Sequence, residues 1–144
     1  MKRILVIAAL VFGTAQFIRP DISAPVNDPA QDLIALTQPS AEVATLLRTA
    51  CYDCHSNETT YPWYDRITPV NFWVQHHVDE GRAEGNFSNW GELSEKKRKH
   101  FAEEAVEYIE AGEMPLPSYT WMHGEARLNA SQKQVLSAFF TALR

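Results

Sequence analysis

Cys51-Tyr52-Asp53-Cys54-His55 is the stretch of the sequence on which the fold prediction depends. Two cysteines flank two residues and a histidine follows at once, which is the attachment pattern of a c-type haem. On one turn of helix, both sulfurs can reach the vinyl groups of a single porphyrin and form thioethers. His55 can then bind the iron from one side, because histidine is the usual proximal haem ligand. The chain has only 2 cysteines, so the motif uses both of them.

Three other interpretations of the two cysteines fit the sequence less well. A zinc site needs further ligands, and none of the remaining histidines pairs with another at zinc-finger spacing; these are His76, His77, His100 and His123. A thioredoxin-like redox pair requires a strand before its helix, and no β pattern precedes Cys51. A disulfide between residues three apart would close a very small loop. The sequence therefore predicts one covalent haem c.

The N-terminus has the pattern of an export signal. Lys2 and Arg3 form a basic start, and the residues from Ile4 through Phe12 are apolar without a break. Small residues follow at 13–15, where a peptidase would cut. The apolar run is shorter than the ~20 residues of a spanning helix. Residues 1–19 are therefore predicted to be a signal peptide or a short membrane anchor, with the rest of the chain in the periplasm, soluble or anchored to the cytoplasmic membrane.

The charge balance limits the classes of partner. The chain has 13 basic and 18 acidic residues, a net charge of −5. Removal of Lys2 and Arg3 with a leader would leave 11 basic residues and a net charge of −7. This surface disfavours nucleic acid and favours a redox partner protein with a basic docking patch. We expect membrane contact only through the N-terminal segment.

Proline content divides the rest of the chain. Residues 20–39 contain four of the 8 prolines and are predicted to be a linker, while residues 40–144 are predicted to be the haem-binding domain. Helical patterns and caps predict a helix that starts at Ser40, a second from Val70 to about Glu80 before Gly81, and a third from Ser94 to about Ala111 before Gly112. The last helix is predicted to start near Asn129 or Ser131. Residues 56–69 and 86–90 are predicted to be loops. No segment alternates like a strand, so the predicted fold is all-α.

Two helical faces are predicted to build the core. In the helix before Gly112 the predicted buried stripe is Phe101, Ala105, Tyr108 and Ile109. In the last helix it is Val135, Leu136, Phe139, Phe140 and Leu143. The last helix is expected to close the fold against the helix that leads into the haem motif.

Met114 is the first choice for the distal iron ligand. It lies in a loop that Pro115 and Pro117 stiffen, and a soft thioether stabilises ferrous iron. The alternatives are His76, His77 and His123, and Met122 is a weaker rival because Trp121 and His123 around it suggest packing. Adjacent histidines on a helix point in different directions, so at most one of His76 and His77 can face the haem.

Several motifs together resemble a known family. The helix into Cys-x-x-Cys-His, the loop with Gly112, Met114 and Pro115, and the amphipathic last helix resemble class I cytochromes c. More specifically, the chain resembles the bacterial haem-binding domain family of small exported proteins, through stretches at 51–63, 69–82, 86–90 and 114–128 that include Tyr-Pro-Trp-Tyr and Glu80-Gly81-Arg82. The resemblance implies a small all-α, cytochrome c-like domain wrapped around one covalently bound haem.

Two functions are consistent with a haem attached at this motif. The first is a monohaem cytochrome that carries single electrons, with His55 proximal and Met114 distal. The second is a haem enzyme, of peroxidase type, or a sensor with an open distal side that binds peroxide or a diatomic ligand. A third possibility is a structural metal or interaction domain without haem.

Overall fold

The computed structural model describes residues 1–144 and contains helices and loops but no strand, which confirms the all-α prediction. Its eight α-helices are α1 (Lys2–Ala15), α2 (Leu33–Thr37), α3 (Ala41–Ala50), α4 (Tyr52–His55), α5 (Val70–Glu84), α6 (Glu95–Ala111), α7 (Pro117–Met122) and α8 (Ala130–Thr141). Four short 3-10 segments lie between them, at Pro29–Gln31, Trp63–Arg66, Phe87–Glu92 and Gly124–Ala126.

The helix ends follow the capping residues of the sequence. The side chains of Ser40 and Ser94 accept hydrogen bonds from the third backbone N–H of α3 and α6. Gly112 ends α6 in the left-handed region, with φ of 77°, which glycine adopts without a Cβ clash. Asn129 and Gln132 form a reciprocal capping box at the start of α8. These four predicted boundaries are confirmed.

Three local predictions differ from the structure. Gly81 does not end its helix, because α5 continues to Glu84. The helix that enters the haem motif is interrupted at Cys51, whose backbone angles are φ −127° and ψ −41°, so the motif occupies the separate single-turn helix α4. The predicted loop at 86–90 is mostly the 3-10 segment Phe87–Glu92, which the Asn86 side chain caps.

The core lies between α3, α6 and α8. Leu47, Leu136 and Phe140 are almost completely buried there, as the patterns of α3 and α8 predict. α8 contacts both α3 and α6, which confirms the predicted closure of the fold. On α6 the prediction is confirmed for Phe101 and Ile109, which are buried. Ala102 and Val106 are buried as well, whereas Tyr108 is 40% exposed. Tyr108 faces a cavity instead of the core.

The second half of the predicted linker is packed into the domain. Leu33 in α2 is completely buried, and Asp32 caps α2 by accepting hydrogen bonds from two of its backbone N–H groups. Both carboxylate oxygens of Asp32 also lie 3.0 Å from the hydroxyl of Tyr52, inside the haem motif. The prolines exclude a long helix here, as expected, but residues 28–37 support the motif from one side.

Helix α1 lies outside this core, and none of its residues is buried. Its apolar side chains are exposed along its whole length. None of the helices combines the length and the apolar character needed to cross a membrane.

Gly81 is the point where α5 comes closest to α4. A Cβ added there would lie 2.7 Å from the carbonyl oxygen of Cys54, whereas a Cβ on Gly124 would meet nothing within 4 Å. We expect Gly81→Ala to lower the free energy of unfolding by roughly 1–2 kcal/mol, because overpacking against backbone outweighs the helix propensity of alanine. Gly124→Ala is the matched control and should change it by less than about 0.5 kcal/mol. Denaturant unfolding of both variants measures the difference, and equal stabilities would contradict it.

Candidate functional site

The four predicted site residues line one cavity. Cys51, Cys54, His55 and Met114 all border a cavity of about 430 Å³. Its wall is mostly apolar and comes from α6, α8 and the segment after α5, with Phe87, Phe101, Ile109, Leu136 and Phe140 among its residues. An apolar cavity of this size, with few polar groups, is typical of small-molecule and cofactor sites. These donors and this lining fit a porphyrin.

His55 is oriented by its surroundings. Its Nδ1 lies 3.2 Å from the backbone carbonyl of Gly85, which can only accept, so Nδ1 carries the proton and donates it. The lone pair of Nε2 is then free for a metal, which is the usual arrangement of a ligating histidine. The ring stacks on Phe87 at 5.6 Å and meets Phe101 edge-on at 5.4 Å. Burial lowers the pKa of His55, which keeps the imidazole neutral near pH 7.

The two cysteines are poor nucleophiles in this environment. Both are free thiols. Burial raises the pKa of Cys51 to about 12 and that of Cys54 to about 11. Redox-active Cys-x-x-Cys pairs have lowered pKa values instead. The electrostatics therefore disfavour thioredoxin-like chemistry.

The loop after the motif is held by residues whose function the sequence did not reveal. Arg82 donates from Nε to the carbonyl of Ser56 at 2.8 Å and from Nη2 to the hydroxyl of Thr59 at 3.0 Å. Asn86 donates to the side-chain oxygen of Asn57 at 2.7 Å. Arg82 and Asn86 lie in stretches that the sequence analysis noted only as part of a resemblance. Here they fix the path of the chain as it leaves His55.

The candidate distal ligands differ in position. Met114 and His77 border the cavity of His55, whereas His76 and His123 do not. His76 is 63% exposed and lies 3.3 Å from Glu80. His123 borders a neighbouring cavity, where its Nε2 lies 2.9 Å from the hydroxyl of Tyr64. Met114 and His77 are thus the predicted candidates that share a cavity with His55.

The neighbouring cavity has a volume of about 390 Å³. The two share four lining residues, namely Cys54, His77, Leu116 and Tyr119. Three tryptophans, Trp63, Trp73 and Trp121, stand half-exposed or exposed around it. The two cavities therefore lie side by side, with these four residues between them or at their common edge.

Tyr119 connects α7 to the haem motif, and sequence reasoning missed it. Its hydroxyl donates to Oδ2 of Asp53 at 2.7 Å, and the other carboxylate oxygen of Asp53 accepts from the backbone N–H of Thr60 at 3.0 Å. Burial and the carboxylate of Asp53 raise the pKa of Tyr119, so the phenol stays protonated and can donate. The ring stacks on His123 at 4.3 Å. No local pattern marks a contact between residues 66 positions apart.

Comparison with known proteins gives one match. The model of a family described as haem-binding domain matches residues 10–142, almost the whole chain. No curated protein and no solved structure matches.

The hydrogen bond from Tyr119 to Asp53 can be tested by removing one oxygen atom. We expect Tyr119→Phe to lower the free energy of unfolding by about 1–3 kcal/mol, because it removes a bond to a charged acceptor. Tyr108→Phe is the matched control, since the Tyr108 hydroxyl forms no hydrogen bond within the chain. Thermal unfolding measures both variants, and an equal loss in the two would show that the Asp53 contact is not the cause.

Proposed function

Because the chain belongs to the haem-binding domain family, we propose that it is a monohaem c-type cytochrome that carries single electrons outside the cytoplasm. One observation carries this proposal. Two cysteines, a histidine with a free Nε2 and a methionine border the same apolar cavity. Each of these side chains has a defined chemical role toward a haem.

The attachment uses the two thiols and the oriented imidazole. Cys51 and Cys54 would hold the porphyrin by thioethers, and His55 would bind its iron through Nε2. A bound haem supplies one-electron chemistry, since its iron alternates between the ferric and ferrous states. The carbonyl of Gly85 holds the ring of His55 in place and increases the basicity of its Nε2.

We favour Met114 over His77 as the distal ligand because of how each is held. The backbone N–H groups of Glu113 and Met114 donate to the carbonyl of Tyr108 at 2.9 and 3.1 Å, which ties the loop to the end of α6. The ring of His77 packs edge-on against Trp73 at 4.7 Å, and its Nδ1 lies 3.6 Å from Glu80. His77 is thus engaged along its own helix, whereas the Met114 side chain has no polar partner.

The charges around the cavity support a redox partner with a basic docking patch. Glu80, Glu84 and Glu104 border the cavity, and the side chain of Glu80 is 59% exposed. Carboxylates around a cofactor cavity attract a basic surface and increase the rate of encounter at low salt. The basic and apolar N-terminus supports placement in the periplasm.

Covalent attachment and coordination can be measured on the purified full chain, expressed in cells with a haem-attachment system. We expect haem to stay with the polypeptide on a denaturing gel and to be lost when Cys51 and Cys54 are both changed to alanine. Spectra of both oxidation states should be six-coordinate and low-spin. A high-spin ferric form that binds carbon monoxide rapidly on reduction would contradict the electron carrier and support the haem enzyme or sensor with an open distal side. Release of the haem by denaturant would contradict the thioethers.

Met114→Ala tests the distal ligand. We expect covalent haem and helical content to be retained, imidazole to bind more readily, and the potential to fall by roughly 100 mV or more, within the ~0.8 V that axial ligands control. Met122→Ala is the matched control, because Met122 is 57% exposed and borders only the neighbouring cavity. Spectroelectrochemical titration compares the variants. A wild-type spectrum for Met114→Ala, with a high-spin spectrum for His77→Ala, would assign the site to His77.

A further inference from the structure

The end of α1 is attached to the domain by a pair of hydrogen bonds. The Nε2 of Gln16 donates to the carbonyl of Thr68 at 3.0 Å, and the backbone N–H of Thr68 donates to Oε1 of Gln16 at 2.9 Å. The hydroxyl of Thr68 donates to the carbonyl of Ile18 at 3.0 Å. Thr68 is only 7% exposed, and the three bonds are partly buried. The junction between α1 and the domain is therefore held by hydrogen bonds.

A hydrogen bond from Arg19 also joins the segment after α1 to the domain. The guanidinium of Arg19 donates to the carbonyl of Arg66. Asp65, beside it, is 8% exposed, and its Oδ1 has no hydrogen-bond partner. Burial raises the pKa of Asp65, and the positive charge of Arg19 opposes that rise. Arg19 thus partly compensates a buried carboxylate that the domain would otherwise hold unpaired.

The exposed side chains of α1 indicate which environment surrounds this helix. Its large apolar side chains are 54–70% exposed on every face of the helix, and no charged residue lies between Arg3 and Arg19. A helix that packs on a protein has an apolar stripe and a polar face. A helix that is apolar all round needs an apolar environment on all sides, which lipid provides and a single docking groove does not.

We propose that α1 is a retained anchor that inserts into a lipid bilayer. The hydrogen-bonded junction between Gln16 and Thr68 then holds the domain at a fixed orientation to the membrane surface. The 3-10 segment Trp63–Arg66, whose last carbonyl binds Arg19, then faces the headgroups. Trp63 is 68% exposed on it, and tryptophan is enriched at this depth.

The retention of α1 is tested by intact mass and by fractionation. We expect the mature full chain to contain residues 1–15 and to remain with membranes after an alkaline carbonate wash, which removes proteins held only by other proteins. It should also insert into vesicles of phosphatidylethanolamine and phosphatidylglycerol. A mature chain that begins at Gln16 or later would overturn the proposal, and so would an intact chain that the wash releases.

The hydrogen-bonded junction between Gln16 and Thr68 is tested by amide exchange at Thr68 in the vesicle-bound chain. Gln16→Leu keeps α1 apolar but removes the acceptor, so the Thr68 amide should exchange roughly 2- to 12-fold faster, as loss of one hydrogen bond implies. Thr14→Val is the matched control, because the Thr14 hydroxyl bonds only to Val11 within α1. Both variants should stay in the membrane. An unchanged exchange rate of the Thr68 amide in Gln16→Leu would overturn the hydrogen-bonded junction.

The orientation itself is read from the haem. In oriented bilayers the wild type should show linear dichroism of the haem absorption, and a chain with both Gln16→Leu and Arg19→Ala should lose it. Wild type without dichroism but with bound haem would overturn the fixed orientation. Fractionation and amide exchange do not require haem, so a failure of the proposed function is distinguishable from a failure of the anchor.

Discussion

The close approach of α5 to the carbonyl group of Cys54 is the contact on which the rest of the site depends. A side chain at Gly81 would not fit there, so the absence of a single methyl group sets the distance between the two helices. At that distance Arg82, one residue on, reaches the chain that leaves the motif. The carbonyl of Gly85, one turn on, reaches Nδ1 of His55. The lack of a side chain at Gly81 thus lets α5 orient the imidazole and fix the loop behind it. α6 and α8 complete the apolar wall around this centre.

Features of the sequence that act over a few residues predicted the structure well. The caps at Ser40, Ser94 and Asn129 work through hydrogen bonds that span three residues, so their signals are present in short stretches of sequence. The haem motif is equally local. Met114 is distant in sequence and also borders the cavity of His55, while its role as the distal ligand stays a prediction.

The features that sequence reasoning missed are contacts between distant residues. Gly81 has the pattern of a helix stop, and only its neighbour across the helix interface shows why a glycine lies within the helix. Asp32 lies among prolines that indicate a linker, yet it binds a tyrosine 20 positions away. Tyr119 reaches Asp53 across 66 positions. A carboxylate or a phenol carries no mark of such a partner in its own neighbourhood, so a single sequence does not reveal these bonds.

The position of α8 in the cavity wall has a consequence for the order of assembly. Leu136 and Phe140 are near the end of the chain, and they close a cavity whose other side is built by residues 51–55. A chain that emerges from its N-terminus presents both thiols while more than half of its length is still to come. Once α8 packs, both thiols border a cavity that its side chains help to close, and each is only partly exposed. For the covalent haem proposed above, the stage before α8 packs would leave both thiols open to an attaching enzyme.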